Sequence, residues 1–268
     1  MKLKSKLLLA LLATSSAAFA QTAPAAPEST ISYNVGVVSE YRYRGIAQTR
    51  GDAALQGGVD YANTNGFYAG AWGSTIKWIK DNSVTATASD VKGPIEIDLY
   101  GGYKFEAAGL AYDVGYLRYQ YQGNTLEKTG GTVNTAYKNA NTDEIYGAVT
   151  AGVVTAKYSY SLSDLFGNIN SKGSTYLDLS ATFDLGNGYT LVPHAGRQVI
   201  KGTVASVRDA KAGDYSDVAL TLNKDFGNGL SASVSAISTN AKSSFYYSPV
   251  NQYATGKNVT VVGVKYSF

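Results

Sequence analysis

The chain of 268 residues has no cysteine, one histidine, one methionine and five prolines. Without cysteine there are no disulfides, no thiolate metal ligands and no thiol nucleophile. A single histidine, His194, excludes motifs that need two, HExxH among them. Charged residues are 16% of the chain, against roughly 25% in ordinary soluble domains. After the N-terminus no stretch of 18 apolar residues occurs, so no segment has the length of a membrane-spanning helix. At 44% hydrophobic the chain is too apolar to be a disordered tail. What it has in plenty is glycine, 29 residues, and tyrosine, 22.

The N-terminus reads as an export signal. Lys2, Lys4 and Lys6 precede a short apolar run over residues 7–12, and Ala18-Phe19-Ala20 forms a small-x-small cleavage site. Residues 1–20 are therefore expected to be a cleaved signal peptide. Three of the 23 Lys and Arg lie in it, which leaves 20 basic against 20 acidic residues. The mature chain is neutral and makes no case for nucleic acid. Residues 21–30, QTAPAAPEST, read as a flexible periplasmic leader, and residues 31–268 as one domain.

That domain is patterned with period two. Ile31, Tyr33, Val35, Val37, Tyr41 and Tyr43 share one parity, and Asn34, Gly36, Glu40, Arg42 and Arg44 the other, which predicts a strand over residues 31–45. The alternation recurs at residues 55–61, 95–105, 154–162, 177–185 and 230–236. Around residues 67–79 both parities are apolar and faces cannot be assigned. At Tyr116-Leu117 the phase slips, through a bulge or an exit from the apolar zone. Tight links at residues 63–66, 106–109, 186–188 and 227–229 and near Gly152 carry Asn and Gly, the chemistry of hairpins. Longer polar stretches alternate with them, over residues 77–93, 122–142, 164–173, 198–214 and 240–256. The DLGNG of residues 184–188 echoes the DFGNG of residues 225–229 as reuse of one good turn.

Alternating short and long connections, about twelve strands and no membrane helix predict an all-β, transmembrane, antiparallel up-and-down β-barrel. Its first and last strands must pair, because lipid cannot satisfy an open sheet edge. Tyr41, Tyr43, Tyr103, Tyr112, Tyr116 and Tyr158 are candidates for aromatic girdles. Val262, Val264, Tyr266 and Phe268 share a parity up to the last residue, as in the C-terminal signal read by the barrel-assembly machinery. The expected location is a bacterial outer membrane, in contact with lipid and lipopolysaccharide.

The N-terminal block YNVGVVSEYRYRGIAQT of residues 33–49 resembles the opening of the TorF-type porin family of proteobacterial outer-membrane proteins. The likeness continues through residues 56–61, 66–74 and 95–103, about the first third of the mature chain. Ala47 stands where that family is expected to carry Ser. The resemblance implies an outer-membrane barrel that passes small solutes.

With the apolar parity facing lipid, Glu40, Arg42, Arg44, Asp60, Glu96, Asp98, Lys104, Lys157, Asp178, Asp184 and His194 are expected to line the lumen. An Arg or Lys turned to mid-membrane lipid would cost about 2–4 kcal/mol, which favours that assignment. Arg42 and Arg44 are expected to oppose carboxylates such as Glu96 and Asp98 across a passive channel for small hydrophilic solutes. Replacing both by Ala is expected to leave folding largely intact and to shift ion preference toward cations. A plugged, structural or adhesive barrel is the alternative. A hydrolase would need Ser and Asp or Asn beside His194. Pro193 is best tolerated near a strand end. Loop lysines such as Lys80, Lys128, Lys138, Lys172, Lys201 and Lys211 could meet lipopolysaccharide phosphates, although solvated charge is the plainer reading. Neither a calcium loop around Asp81 and Asp90 nor a phosphate-binding glycine motif is present. No cofactor, metal or catalytic residue is expected.

Overall fold

The structure is a computed structural model and describes residues 28–82, 92–128, 137–202 and 211–268. The expected signal peptide, most of the leader and Asp90 lie outside the described residues.

Twelve antiparallel staves close into a barrel. They are β1 (Ser29–Val38), β2 (Ala54–Asn63), β3 (Phe67–Thr75), β4 (Ile95–Ala107), β5 (Leu110–Gln122), β6 (Thr142–Ala151), β7 (Val154–Ser161), β8 (Thr175–Ala181), β9 (Tyr189–Val199), β10 (Tyr215–Gly227), β11 (Leu230–Thr239) and β12 (Val259–Ser267). Each pairs with its neighbours in sequence, and β12 pairs with β1 through Val35–Tyr266 and Val37–Val264. The wall closes on itself, so none of the twelve staves is left as an open edge. A short extra strand, Phe183–Gly186, continues β8 along β9. The interruption lies opposite Pro193, between the pairs Ser180–His194 and Phe183–Leu191. Pro193 thus sits mid-stave, not near an end, and its missing N–H falls where the neighbouring ladder is broken.

Five tight turns and the first stave's N-terminus lie at one rim, with Phe268 closing it; six longer connections lie at the other. Ala108-Gly109, Asn187-Gly188 and Asn228-Gly229 have both residues at positive φ, the conformation that matches strand twist in a two-residue hairpin. The echoed sequences make one turn twice. Asp184 accepts a hydrogen bond from Gly186 N and Asp225 one from Gly227 N, each at 2.8 Å, with a register shift beside each.

The outer face carries the apolar parity: Ile31, Val37, Leu99, Val114, Leu179, Leu220 and Val264 are all exposed. Near the turn rim the rings form a ribbon, Phe67–Tyr103–Phe105–Tyr112 at centroid spacings of 4.8, 5.9 and 5.0 Å, and Tyr33–Phe268–Tyr266 at 5.7 Å each.

Inside, tyrosine and glycine are paired across staves. A Cβ on Gly70 would lie 2.6 Å from the Tyr100 ring, and Gly102, Gly115 and Gly196 are covered in the same way by Tyr68, Tyr146 and Tyr176. At these four places the hydroxyl end of a tyrosine lies over a neighbour that has no side chain.

The inner face changes character toward the loop rim. Leu117, Tyr119 and Tyr121 point inward and are buried, while Arg118 and Gln120 alternate outward. The β4–β5 register is continuous from Ile95–Gln122 to Ala107–Leu110, so no bulge explains the slip at Tyr116-Leu117. The polarity inverts because the lumen there is filled by protein. Tyr41, Ala54, Ile76, Ile79, Leu117, Tyr119, Tyr121, Leu126 and Ala140 form the hydrophobic core.

Candidate functional site

The filling is the first long connection, residues 39–53. The expected first strand over residues 31–45 stops at Val38. Beyond it Arg42–Tyr43 and Ile46–Ala47 pair as a miniature hairpin. Its turn is Arg44-Gly45, with φ of 48° and 78°. Glycine is at home there; an arginine at positive φ is uncommon, and its side-chain contacts must hold it.

Those contacts span the barrel. Tyr41 packs on Trp72 of β3 at 5.4 Å and donates to Glu96 of β4 at 3.1 Å. Tyr43 meets Tyr119 of β5, edge to face at 5.5 Å and hydroxyl to hydroxyl. Arg44 donates from both terminal nitrogens to Glu144 of β6, at 3.1 and 2.7 Å, and to Gln198 of β9 at 2.9 Å. Its guanidinium lies 4.3 Å over the Tyr176 ring of β8. Tyr215 of β10 donates to the Arg44 carbonyl at 2.8 Å. Gly45 lies against Asp217 of β10 and Thr239 of β11, where a Cβ would come within 2.6 Å of the threonine methyl.

Several expected positions change in this light. Tyr41 and Tyr43 are inside the barrel, not in an outer girdle; Tyr103, Tyr112, Tyr116 and Tyr158 are on the outer face. Arg44 opposes Glu144, not Glu96 or Asp98. Arg42 does not face a passage. Its Nε donates to Glu40 at 2.8 Å and its Nη1 to the carbonyls of Gly45, Thr255 and Lys257, bracing this hairpin against the last loop. Glu40 is taken up as well, by Gly51 N at 2.6 Å and by the Tyr253 hydroxyl at 2.7 Å. Burial, followed by that bond to Glu40, pushes the Tyr253 phenol up to about 12. Glu96 and Asp98 are buried beneath Tyr41. Asp184 serves its turn at the rim instead of lining the passage.

The turn-side half of the lumen stays half-exposed and charged. Asp60 accepts from Tyr100, Lys104 lies 4.5 Å over the Tyr68 ring, and Lys157 lies 3.8 Å over Tyr146. His194 Nε2 is 2.7 Å from Asp178 and its Nδ1 is 3.4 Å from Asp217, which also accepts from Tyr176 at 3.0 Å. Both ring nitrogens are thus engaged by carboxylates, and among the described residues no serine hydroxyl is hydrogen-bonded to His194. No group of three or more metal-ligating side chains is found among the described residues.

Beside the hairpin, loops and stave ends line an open cavity of about 380 Å³. Tyr43, Trp78, Phe166, Phe245 and Tyr246 are among its walls, and Arg44 and Gln198 form its polar floor.

Glu144, Tyr119, Tyr176, Gln198 and Asp217 escape the sequence reading, although Glu144 and Gln198 lie on the polar parity of their strands. The missing signal is the hairpin, whose own alternation is continuous with that of β1.

Solved structures with a similar course include the KdgM porin, 11% identical over 90% of this chain and 99% of that one, TM-score 0.48. The NanC porin is 10% identical over 89% and 99%, TM-score 0.49. OccK5 (OpdH) of Pseudomonas aeruginosa is 12% identical over 91% and 68%, TM-score 0.41. No curated protein matches the chain. Over residues 21–268 it matches the model of one family, and the chain belongs to it: the bacterial proteins of unknown function described as Gcw_chp.

Proposed function

We propose that the protein is an outer-membrane channel of the porin type for small hydrophilic solutes, with the hairpin of residues 42–47 as the constriction of its path. The observation that carries this reading is the contrast between faces. A closed wall is apolar outside, while the turn-side lumen holds Asp60, Lys104, Lys157 and Asp178 half-exposed. Charged groups are kept inside a wall only where water or other polar groups meet them. The resemblance of residues 33–49 to TorF-type porins supports it, as does the terminal Phe268 on the outer face, a fit for the barrel-assembly machinery. The channel needs no cofactor. Its outer surface would meet lipid and lipopolysaccharide.

A second reading, a non-conducting structural barrel, is favoured by one specific observation: residues 41–45 of the first long connection touch eight of the twelve staves. Planar-bilayer conductance separates the two. The refolded protein is expected to give small discrete steps, and a variant with residues 42–47 replaced by a short Gly-Ser link much larger ones. If both are folded and electrically silent, the channel reading is wrong.

A further inference from the structure

Register brings five charged lumen residues into a single row. Lys104 is opposite Asp113, Asp113 opposite Ala148, and Ala148 opposite Lys157. Lys157 is opposite Asp178, Asp178 opposite Gly196, and Gly196 opposite Asp217. The row crosses seven staves, β4 to β10. It starts at Lys104, close to the turn end of its stave, and finishes at Asp217, close to the loop end of its own, against the hairpin's Gly45. Because staves in a closed barrel tilt, such a row climbs the wall as it goes round.

Two of its steps place opposite charges directly across from each other, Lys104 with Asp113 and Lys157 with Asp178. Direct cross-strand neighbours have Cβ atoms about 4.5–5.5 Å apart, close enough to pair. Among the described residues neither pair closes into an ion pair. The lysines rest instead on the Tyr68 and Tyr146 rings. Those two hydroxyls bond to each other, and Tyr68 also donates to Asp113 at 2.6 Å. Asp178 is held away by His194. An ammonium on a ring face still has N–H donors left for an oxygen acceptor. Among the described residues, Asp113 and Asp178 each give one oxygen to the protein. Each step therefore presents an ammonium and a carboxylate that are near but apart.

We infer that this row is a binding track for small zwitterions, solutes with a carboxylate and an ammonium a few ångströms apart. The inference rests on the channel reading and narrows its solute class. The solute's carboxylate takes a lysine, and its ammonium takes the aspartate across from it. A singly charged solute satisfies one half of a step and a neutral sugar neither.

The test is equilibrium binding to the full refolded protein in detergent, with β-alanine against propionate and propylammonium. The three share a skeleton and differ by one charged group. β-Alanine is expected to bind about tenfold or more tighter than either, since it makes a charge-assisted hydrogen bond that each of the others lacks. In a Lys104→Met background, which disables the first step, Lys157→Met or Asp178→Asn should reduce it to the affinity of a singly charged probe. Asp113→Asn disables the first step instead if Lys104→Met fails to fold. Equal binding of all three probes by the unaltered protein, or an unchanged β-alanine affinity in folded variants, overturns the inference. Conductance is scored separately. A silent protein that still prefers β-alanine sinks the channel and keeps the site, while a conducting one without the preference does the reverse.

Discussion

Arg44→Ala would leave Glu144 buried without its partner, since the two side chains are only 7% and 2% exposed. Breaking a buried pair from one side costs about 3–5 kcal/mol. The expected result is a lowered urea midpoint, followed by tryptophan fluorescence because Trp72 and Trp78 flank the hairpin core. Arg44→Lys should recover little of it, because a lysine cannot reproduce the fork to Glu144 or the stack on Tyr176. These contacts argue against the expectation that replacing both Arg42 and Arg44 leaves folding largely intact. Arg42 holds three loop carbonyls and Arg44 bridges opposite walls. Both were legible as lumen charges from parity alone. Their partners were not, because pairing across a lumen depends on distances no local pattern encodes. On the outer face the arithmetic is simpler: Leu179→Arg should destabilise the barrel in lipid vesicles by about 2–4 kcal/mol, measured by reversible urea unfolding.

Among the elements, the staves were the readable part. A period of two, tight Asn-Gly turns and the closing strand carry the topology in local residues, and the ladder agrees with them. The hairpin was unreadable for a definite reason. Residues 39–45 keep the alternation of β1 after β1 has ended at Val38, so an inward loop looks like more wall. The inward turn of Leu117, Tyr119 and Tyr121 was ambiguous for the complementary reason, since a lumen filled by protein asks for apolar side chains where a wet one asks for polar ones. The loop over residues 162–174 makes its own prediction. Asp164 is pushed up by burial, but Lys138 at 2.9 Å and the Lys172 and Ser171 amides hold it below the ordinary aspartate range. A depressed carboxylate stabilises when ionised. Amide-exchange protection at Ser171 should therefore persist at neutral pH and fall once the pH drops below the usual aspartate value of about 3.9.

For the whole molecule, the composition becomes intelligible as geometry. Gly102 is where the Tyr68 ring lies, and Gly102→Val would force that ring off the wall into the bore. It should lower conductance in the variant lacking the hairpin, in proportion to the path it blocks; unchanged steps would mean the ring is not at the narrow part.

The position of the hairpin in the chain has a consequence for assembly. It belongs to the first loop, yet the groups that grip it, Glu144, Tyr176, Gln198 and Tyr215, come from the sixth, eighth, ninth and tenth staves. The seam between β1 and β12 can be sewn only when the last stave arrives. The hairpin's contacts with those four staves cannot form until they have been made, so the earliest-made loop is among the last parts of the chain to gain its full set of partners.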